Sequence, residues 1–311
     1  MITYAKLVQH PNAFRTLTGV SRPEFDRLFS RFQPLWLEAE ATRLGRAERQ
    51  RAIGGGRKYN LALRSQLLMT LIWLRLYLDT ATLGVLLNVH KSTVSRNSRR
   101  VLAVLRQLGE QELWWREPPA HGQGRSLEEA IAAEPDLLQV IDVFEQRRQR
   151  PGTAAAEARH YSAKAKGSTN KIGIIVNEAG IIRGVTKAVP GKMHDLTLLR
   201  ESQLLEQLPA TGAILGDKAF DGLQHTLPNH SVGVPHKARR NHPLTDAERW
   251  ANRDLSRQRV IVENSICELR HFKALAYRFR HSFNLVDAVV RAVVAIVNPR
   301  IKQRANQMAL A

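Results

Sequence analysis

The spacing of apolar residues changes once along the chain, and this change constrains the fold more than any other feature. In the first third, the apolar positions follow a helical period, and the run from Ser65 to Leu78 predicts a buried helix. In the second half they gather into short runs of strand length, as in Leu137–Phe144 and Ala213–Asp217. The sequence therefore predicts an all-helical region followed by a region of mixed strands and helices.

A segment rich in Pro and Gly separates the two patterns. We expect it to form a linker over residues 116–135, between a helical domain over 1–115 and an α/β domain over 136–311. In the second domain we expect a hairpin over 172–189, made of two alternating strands and a turn at Asn177–Gly180. The helices predicted there cover Asp195–Leu208, Thr245–Arg280 and Leu285–Gln307.

The charge of the chain limits its partners. Lys and Arg total 47 against 28 Asp and Glu, which gives a net charge of +19 over 311 residues. Such a balance favours a nucleic acid as partner, although a solvated basic surface without chemistry would have the same composition. Cys267 is the only cysteine, so no disulfide can form within the chain and a reducing compartment is expected. No apolar run is long enough to predict a membrane span.

A helix-turn-helix pattern lies within residues 61–108. A short helix over Thr80–Leu87 and a turn over Asn88–His90 lead into a second helix, which we expect Ser92 to cap. Small polar and cationic side chains at the start of a recognition helix suit base edges and phosphates. An ordinary helix pair with a basic exposed face is the alternative interpretation. The expected DNA contacts here are Lys91, Ser92, Thr93, Ser95, Arg96, Arg99 and Arg100.

Three acidic residues stand in settings that suggest a metal centre. Asp142 and Asp217 lie in apolar strands, and because an unpaired buried carboxylate is costly, we expect both at strand ends where a site can open. Glu263 lies on a predicted helix, with Arg259 and Arg270 on nearly the same face. A surface ladder of ion pairs is the usual meaning of that spacing. Together, however, the three acids could bind two divalent cations, Mg²⁺ or alternatively Mn²⁺.

A strongly basic segment follows the first predicted strand. Residues 147–171 contain Glu157 as their only acid, and we interpret them as a loop that orders on DNA rather than a solvated mobile loop. Trp250 could either stack on DNA or fill a packing gap, whereas packing is the favoured role of Trp114 and Trp115. The expected DNA contacts in this segment and on the later helix are Arg147, Arg148, Arg150, Lys164, Lys166, Arg259 and Arg270.

A series of short motifs occurs in a fixed order from about Gly54 to Pro299, and through them the sequence resembles the insertion-sequence-5 family of DDE transposases. The resemblance is to the branch of the family in which a helix-turn-helix precedes the catalytic domain. The motifs are Gly54-Gly-Gly-Arg-Lys58, Leu67–Arg75, Ile141–Glu145, Tyr161-Ser-Ala-Lys-Ala-Lys166, His194-Asp195, Gly216–Gly222 and Arg259-Val-Ile-Val-Glu263.

This resemblance implies a ribonuclease-H-like fold, in which a mixed sheet with flanking helices follows the all-α helix-turn-helix domain. The three catalytic acids of the family match Asp142, Asp217 and Glu263, and its arginine matches Arg259. The His-Asp pair of the family matches His194 and Asp195. Asp195 would be an accessory metal ligand, a helix N-cap, or both. The expected metal ligands, for two Mg²⁺ or Mn²⁺ ions per active site, are Asp142, Asp195, Asp217 and Glu263.

Three positions depart from the family pattern. Phe144 stands where relatives often have Thr, Ser256 where a related signature has Tyr, and Arg270 where that signature has Lys. These changes affect the positioning of DNA more than the binding of metal.

The expected activity is that of a transposase. It would bind the terminal inverted repeats of its element, cleave phosphodiester bonds and join the 3′-hydroxyl to target DNA, as a dimer or larger assembly in the prokaryotic cytoplasm close to the nucleoid. An inactive DNA-binding regulator and a nuclease that does not join DNA are the alternatives.

Overall fold

A computed structural model of the chain describes residues 2–45, 61–115, 137–240 and 242–309. The predicted linker over 116–135 and the motif Gly54–Lys58 lie outside the described residues. The chain forms two compact units. The first consists of Met1–Gln111, Leu269–Tyr277 and Asn284–Arg300, and the second of Glu112–Glu268, Arg278–Phe283 and Ile301–Ala311.

The first unit is helical, as predicted. Its third helix starts at a capping box, in which the Ser21 N–H donates to Glu24 Oε2 at 2.6 Å while the Ser21 hydroxyl accepts from the Glu24 N–H. The helices of the N-terminal part are α1 (Tyr4–Leu7), α2 (Pro11–Thr18), α3 (Arg22–Leu44), α4 (Leu63–Leu76), α5 (Thr80–Leu87) and α6 (Lys91–Glu112). The helix predicted at Ser65–Leu78 is thus α4, which carries a continuous run of buried residues from Gln66 to Leu74.

Residues from late in the chain complete the first unit. Arg300 Nε lies 2.8 Å from Glu24 Oε1, and Arg300 Nη2 donates to the Gly19 carbonyl at 2.7 Å. The buried Phe272 ring lies against Gly19, where a β-carbon would approach it to 3.0 Å. The N-terminal helices therefore rely on contacts with the segments Leu269–Tyr277 and Asn284–Arg300.

The helix-turn-helix has the predicted elements, but the capping residue differs. α5 has the predicted bounds, and α6 begins at Lys91, one residue before the expected cap. The His90 ring caps the helix instead, because its Nδ1 accepts from the Ser92 N–H at 3.3 Å and lies 2.8 Å from the Ser92 hydroxyl. Ser92 therefore lies inside the first turn, and the prediction that it is the N-cap was wrong.

The turn between α5 and α6 depends on a close approach of two backbone segments. Gly84 lies so near the turn that an added β-carbon would be 2.5 Å from the Val89 carbonyl oxygen. The Val89 N–H donates to the Gly84 carbonyl at 2.9 Å, and Asn88 adopts a left-handed conformation with φ of 53°. A side chain at position 84 would push α5 and the turn apart.

We expect Gly84→Ala to lower the free energy of unfolding by about 1–3 kcal/mol, because an extra methyl group has no space at this turn. Urea unfolding followed by circular dichroism measures the change. Val85→Ala is the control, since Val85 is next in sequence and 81% exposed, and it should change stability by less than about 0.5 kcal/mol. Equal effects of the two variants would contradict a tight turn.

The second unit contains a mixed sheet with flanking helices, as predicted. The central strand β1 pairs antiparallel with β3 and parallel with β6, and β7 continues the parallel side. The strand order is β2-β3-β1-β6-β7, and β4 and β5 also pair with β3. The strands are β1 (Leu138–Arg147), β2 (Tyr161–Ser162), β3 (Gly167–Asn177), β4 (Ile182–Val185), β5 (Val189–Pro190), β6 (Gly212–Leu215) and β7 (His230–Gly233).

Two predicted helices are shorter in the structure. The helix from Asp195 ends at Glu201, where Gln203 turns to a positive φ of 56° before a single 3₁₀ turn over Leu205–Gln207. The helix predicted to reach Arg280 ends at Arg270, because Phe279 instead pairs with the end of β1 through the Arg147 carbonyl at 2.7 Å. The remaining helices are α7 (Ala154–His160), α8 (Asp195–Glu201), α9 (Asp246–Arg270), α10 (Lys273–Ala276) and α11 (Leu285–Ala309).

The two faces of the sheet have different neighbours. Ile141 and Val143 of β1 pack against Leu198 and Leu199 of α8. Gly173, directly opposite Val143 on β3, makes room for this helix, since a β-carbon there would lie 2.9 Å from Leu198 Cδ2. Because side chains alternate along a strand, Asp142 lies on the other face.

The described helices were also compared with the length and hydropathy that a membrane span requires. None of them meets both requirements.

Candidate active site

Asp142 and Asp217 lie next to each other in the register of two parallel strands. Val140 pairs with Leu215, so continuing the same register by two residues brings Asp142 opposite Asp217. Neighbouring strands are about 4.8 Å apart, which puts the two carboxylates within reach of one ligand. Both aspartates were predicted to lie at strand ends. This holds for Asp217, which lies just beyond β6, but is wrong for Asp142, which lies inside β1. The end of β6 therefore opens the site.

The backbone after β6 fixes the Asp217 side chain. Its Oδ1 accepts from the Ala219 N–H at 2.8 Å and so caps the 3₁₀ turn Lys218–Phe220. The Phe220 ring is buried beneath this turn, and the preceding Gly216 N–H donates to the Gly233 carbonyl at 2.9 Å. The carboxylate thus stands on a turn held at both ends.

The electrostatics of Asp142 connect it with α9. Burial raises the pKa of the Asp142 carboxyl above its ordinary value, and the negative charges of Asp217 and Glu263 raise this pKa further. The Val143 N–H, 2.8 Å from Asp142 Oδ1, and the Arg259 guanidinium act in the opposite direction. Asp142 therefore lies close enough to Asp217, Glu263 and Arg259 to interact electrostatically with each of them.

Arg259 has an unused donor. Its Nε is buried and makes no hydrogen bond in the part of the chain that the structure describes. A buried donor without a partner is costly, and a guanidinium close to Asp142 can donate to the oxygens of a phosphate. The position of Arg259 thus suits an anionic substrate.

The donor set fits a divalent cation in its chemistry. Carboxylate oxygens are the ligands that Mg²⁺ prefers, and a cation would relieve the repulsion that raises the pKa of Asp142. Glu263 is exposed on α9, and within the described ranges no three Asp, Glu, His or Cys side chains come close enough to enclose an ion. The carboxylates are thus of the type that binds Mg²⁺ and lie near one another. Among the described residues, however, they do not converge into a set of three ligands around one point.

Asp195 belongs to a different cluster on the opposite face of the sheet. Lys171 Nζ lies 2.8 Å from Asp195 Oδ1 and 3.7 Å from Glu145 Oε1, and it also donates to the Met193 carbonyl at 2.8 Å. The Thr169 hydroxyl donates to Glu145 Oε2 at 3.1 Å. Asp195 is the first residue of α8 after the N-cap His194, so it is not the cap. The sequence predicted Asp195 as an accessory metal ligand, whereas in the structure its carboxylate pairs with the Lys171 ammonium. We therefore do not propose Asp195 as a metal ligand.

The recognition helix presents the residues expected to contact DNA. Val94 and Val101 are fully buried, which orients α6. Lys91, Arg96 and Arg99 are exposed, and the Arg96 guanidinium donates to the Ser92 hydroxyl at 3.3 Å. Ser92, Thr93, Ser95 and Arg100 are partly exposed.

The basic segment 147–171 is not the predicted loop, because it contains α7, β2 and the start of β3. Arg147 Nη2 donates to the Ala165 carbonyl at 2.7 Å, and Arg150 pairs with Glu157 at 2.8 Å. Arg148 is half-buried, with its guanidinium over the Phe283 ring and 3.1 Å from the His160 imidazole, so it has a structural role there. Lys164, Lys166 and Arg270 are exposed.

Comparison with known families agrees with this arrangement. A family model described as DDE superfamily endonuclease matches residues 141–298, just over half of the chain, and includes Asp142, Asp217 and Glu263. The chain belongs to the DDE superfamily endonucleases. A second model, the helix-turn-helix of DDE superfamily endonuclease, matches residues 59–111.

Two curated relatives of this DDE superfamily endonuclease are named as transposases. It is 23% identical over 273 residues to the "Probable transposase for insertion sequence element IS702" of Microchaete diplosiphon, covering 86% of this chain and 87% of that protein. It is 26% identical over 181 residues to the "Transposase for insertion sequence element IS1106" of Neisseria meningitidis serogroup B. That second match covers 55% of this chain and 60% of the relative.

Lys171 has partners that its surroundings in the sequence do not indicate. In the sequence it is one cation of a basic segment, whereas in the structure it neutralises Glu145 and Asp195. Glu145 and Lys171 are directly opposite each other on β1 and β3, so the hairpin register would have revealed that pair. No local signal in the sequence links either of them to Asp195.

Proposed function

We propose that this chain is a DNA transposase of an insertion sequence. It binds the terminal inverted repeats of its element through the helix-turn-helix, cleaves phosphodiester bonds at the three acids and joins the freed 3′-hydroxyl to target DNA. The observation that carries the proposal is the register of β1 and β6, which brings Asp142 opposite Asp217 within the range that matches the DDE endonuclease model. Glu263 lies in the same range, close enough to Asp142 to act on its charge. Because two ends must be joined, the active form is a homodimer or a larger assembly, acting on DNA in the cytoplasm.

We infer a ribonuclease-H-like fold and membership of the insertion-sequence-5 family. An antiparallel group of strands followed by two parallel strands supports the fold, and the order of the sequence motifs supports the family. The proposed domains are the helix-turn-helix over about 61–108 and the catalytic part over 136–311. Two segments inside that range, Leu269–Tyr277 and Asn284–Arg300, pack within the first compact unit.

Asp142, Asp217 and Glu263 would hold two divalent metal ions, Mg²⁺ or Mn²⁺. When bound, such ions supply an activated water or 3′-hydroxyl and stabilise the departing oxygen. The protein contributes a carboxylate fixed by the Val143 N–H, another fixed by the Ala219 N–H, and the Arg259 guanidinium, which donates to a phosphate oxygen. These groups hold the scissile phosphate in one orientation.

The test uses DNA taken from both sides of the gene. The purified full-length chain, incubated with this DNA and Mg²⁺ or Mn²⁺, should nick it at short inverted repeats and join the ends to a second duplex. Binding without any nicking would instead identify a DNA-binding regulator. Cleavage without joining would identify a nuclease.

We expect Lys91→Ala combined with Arg96→Ala to weaken binding to the element ends by about tenfold or more at moderate salt, because two phosphate contacts are lost. The slope of log affinity against log salt should become shallower by about two. Arg106→Ala is the control on the same helix, since Arg106 is similarly exposed but pairs with Glu110 at 2.9 Å. If the control variant loses as much affinity as the double variant, the start of α6 is not the DNA-reading part.

A further inference from the structure

An exposed aromatic ring lies within a strongly basic part of the second unit. Tyr161, on the edge strand β2, is 48% exposed, and the turn after it leads directly into β3. We call this region the β2–β3 tip and define it by six exposed residues that the backbone brings together. They are Tyr161 and the cations Arg147, Arg159, Lys164, Lys166 and Lys192.

Backbone contacts hold these cations around the tip. Arg147 Nη2 donates to the Ala165 carbonyl inside the turn, and the Lys192 N–H donates to the Arg159 carbonyl at 3.2 Å. The only acid within 147–171 is Glu157, which already pairs with Arg150 at 2.8 Å. The tip therefore carries five exposed cations and one exposed tyrosine.

The turn keeps a lysine where a different residue would be favoured. Lys166 has a φ of 49°, a left-handed conformation that Gly and Asn adopt more readily than Lys. The turn itself is held by the Ser162 hydroxyl, which accepts from the Ala165 N–H at 3.2 Å. The chain thus accepts a less favourable backbone in order to keep a cation at the tip, which is typical of a functional position.

The register of the sheet puts Tyr161 and Asp142 on the same face. Tyr161 pairs with Ser168 and Asp142 pairs with Ile174, six positions further along β3. At about 3.4 Å per residue, six positions correspond to about 20 Å. A DNA strand rises about 3.4 Å per nucleotide, so a strand that runs along β3 from Asp142 would reach the tip after about six nucleotides.

We propose that the β2–β3 tip is a second DNA-binding site, which holds unpaired nucleotides about six positions from the cleavage point. The cations bind the phosphates, and the Tyr161 ring stacks on one unpaired base. A base face is accessible only where the duplex is open, so an exposed ring among cations favours single-stranded over paired DNA. This inference rests on the proposed function, whose substrate it describes further.

The test measures binding with cleavage switched off. Fluorescence anisotropy of the full-length chain in EDTA gives dissociation constants for a fully paired duplex and for the same duplex with three unpaired nucleotides, placed at successive distances from the end. Tyr161→Ala should weaken binding to the opened duplex by about tenfold and to the paired duplex by less than about twofold. This loss of affinity should be largest when the unpaired nucleotides lie about six positions from the end of the duplex.

Three further variants identify the cause. Tyr161→Phe should bind like the unchanged protein, because it keeps the ring. Lys166→Gly should weaken binding to both duplexes without lowering the melting temperature, since glycine relaxes the turn. Tyr277→Ala is the matched control, because Tyr277 is similarly exposed at 53% and has Lys273 beside it, but lies in the first unit. It should leave both dissociation constants unchanged.

Other outcomes would overturn the inference in distinguishable ways. If Tyr161→Phe loses as much affinity as Tyr161→Ala, the hydroxyl contacts a phosphate and no base stacks. If Tyr161→Ala weakens binding to the opened and the paired duplex equally, the tip does not select unpaired DNA. If Tyr161→Ala changes only the oligomeric state, the tip binds a second copy of the chain. If the protein cleaves and joins DNA but Tyr161→Ala does not change its binding to opened DNA, only the proposal of a second DNA-binding site fails. If Tyr161→Ala weakens binding to opened DNA but the unchanged protein never cleaves DNA, the proposed transposase function fails.

Discussion

Asp142→Asn should lower the rate of DNA cleavage by about a thousandfold or more while leaving the affinity for element ends unchanged. Asn has the size of Asp, and its amide oxygen can still accept from the Val143 N–H, so β1 should keep its conformation. The carboxylate charge, by contrast, is lost from the cluster with Asp217 and Glu263. Losing several kcal/mol of metal-dependent stabilisation of the transition state corresponds to this fall in rate.

Metal binding provides a readout that does not depend on DNA. In the unchanged protein, Mn²⁺ at a hundred times its dissociation constant should stabilise the fold by about 2.7 kcal/mol, and Asp142→Asn should remove this effect. Thermal unfolding with and without the ion measures it. Cleavage at the normal rate by Asp142→Asn would show that the reaction takes place elsewhere.

Asp195→Asn is the matched control for the same experiment. Asp195 is also an acid of the sheet region, but it pairs with Lys171 on the opposite face from Asp142. We expect the variant to keep both its Mn²⁺ response and its cleavage. If a folded Asp195→Asn protein loses cleavage as completely as Asp142→Asn, then Asp195 is a metal ligand after all, as the sequence had predicted.

The second large effect is expected at the ion cluster. Lys171→Met should lower the free energy of unfolding by about 3 kcal/mol, because it leaves the half-buried carboxylates of Glu145 and Asp195 without a cation. The Lys171 side chain is only 12% exposed, so water cannot replace it at little cost. Urea unfolding measures the loss.

Two comparisons separate charge from packing. Lys187→Met removes an exposed lysine of the same unit and should change stability by less than about 0.5 kcal/mol. Adding Asp195→Asn to Lys171→Met should restore part of the lost stability, since one unpaired charge disappears. If the two substitutions simply add, the carboxylates and the lysine do not act together.

Local features could be predicted from the sequence. The bounds of α5 followed from its spacing of apolar residues, and the Ser21–Glu24 capping box lies within four residues of the chain. Asp142 and Asp217 were predicted from their apolar surroundings, and Glu263 from Arg259 and the resemblance to a family; as metal ligands all three remain predictions. Each of these signals depends only on neighbouring residues or on a known pattern.

What the sequence could not supply were contacts between distant segments. α9 ends at Arg270 because Phe279 pairs with the end of β1, more than a hundred residues earlier. Asp195 joins Lys171 because α8 packs on that face of the sheet. The segment 147–171 forms strands because β3 offers an edge to β2. Local propensity contains none of this information.

The membership of Asn284–Arg300 in the first compact unit has a consequence for synthesis. At ordinary rates of translation, about ten to forty seconds separate the emergence of α6 from that of Arg300. During this interval Glu24 lacks its arginine, and the helix-turn-helix unit is incomplete. A polypeptide cut short by an interrupted gene should therefore fold poorly in its DNA-reading part, so truncated copies would not occupy the element ends in competition with the complete protein.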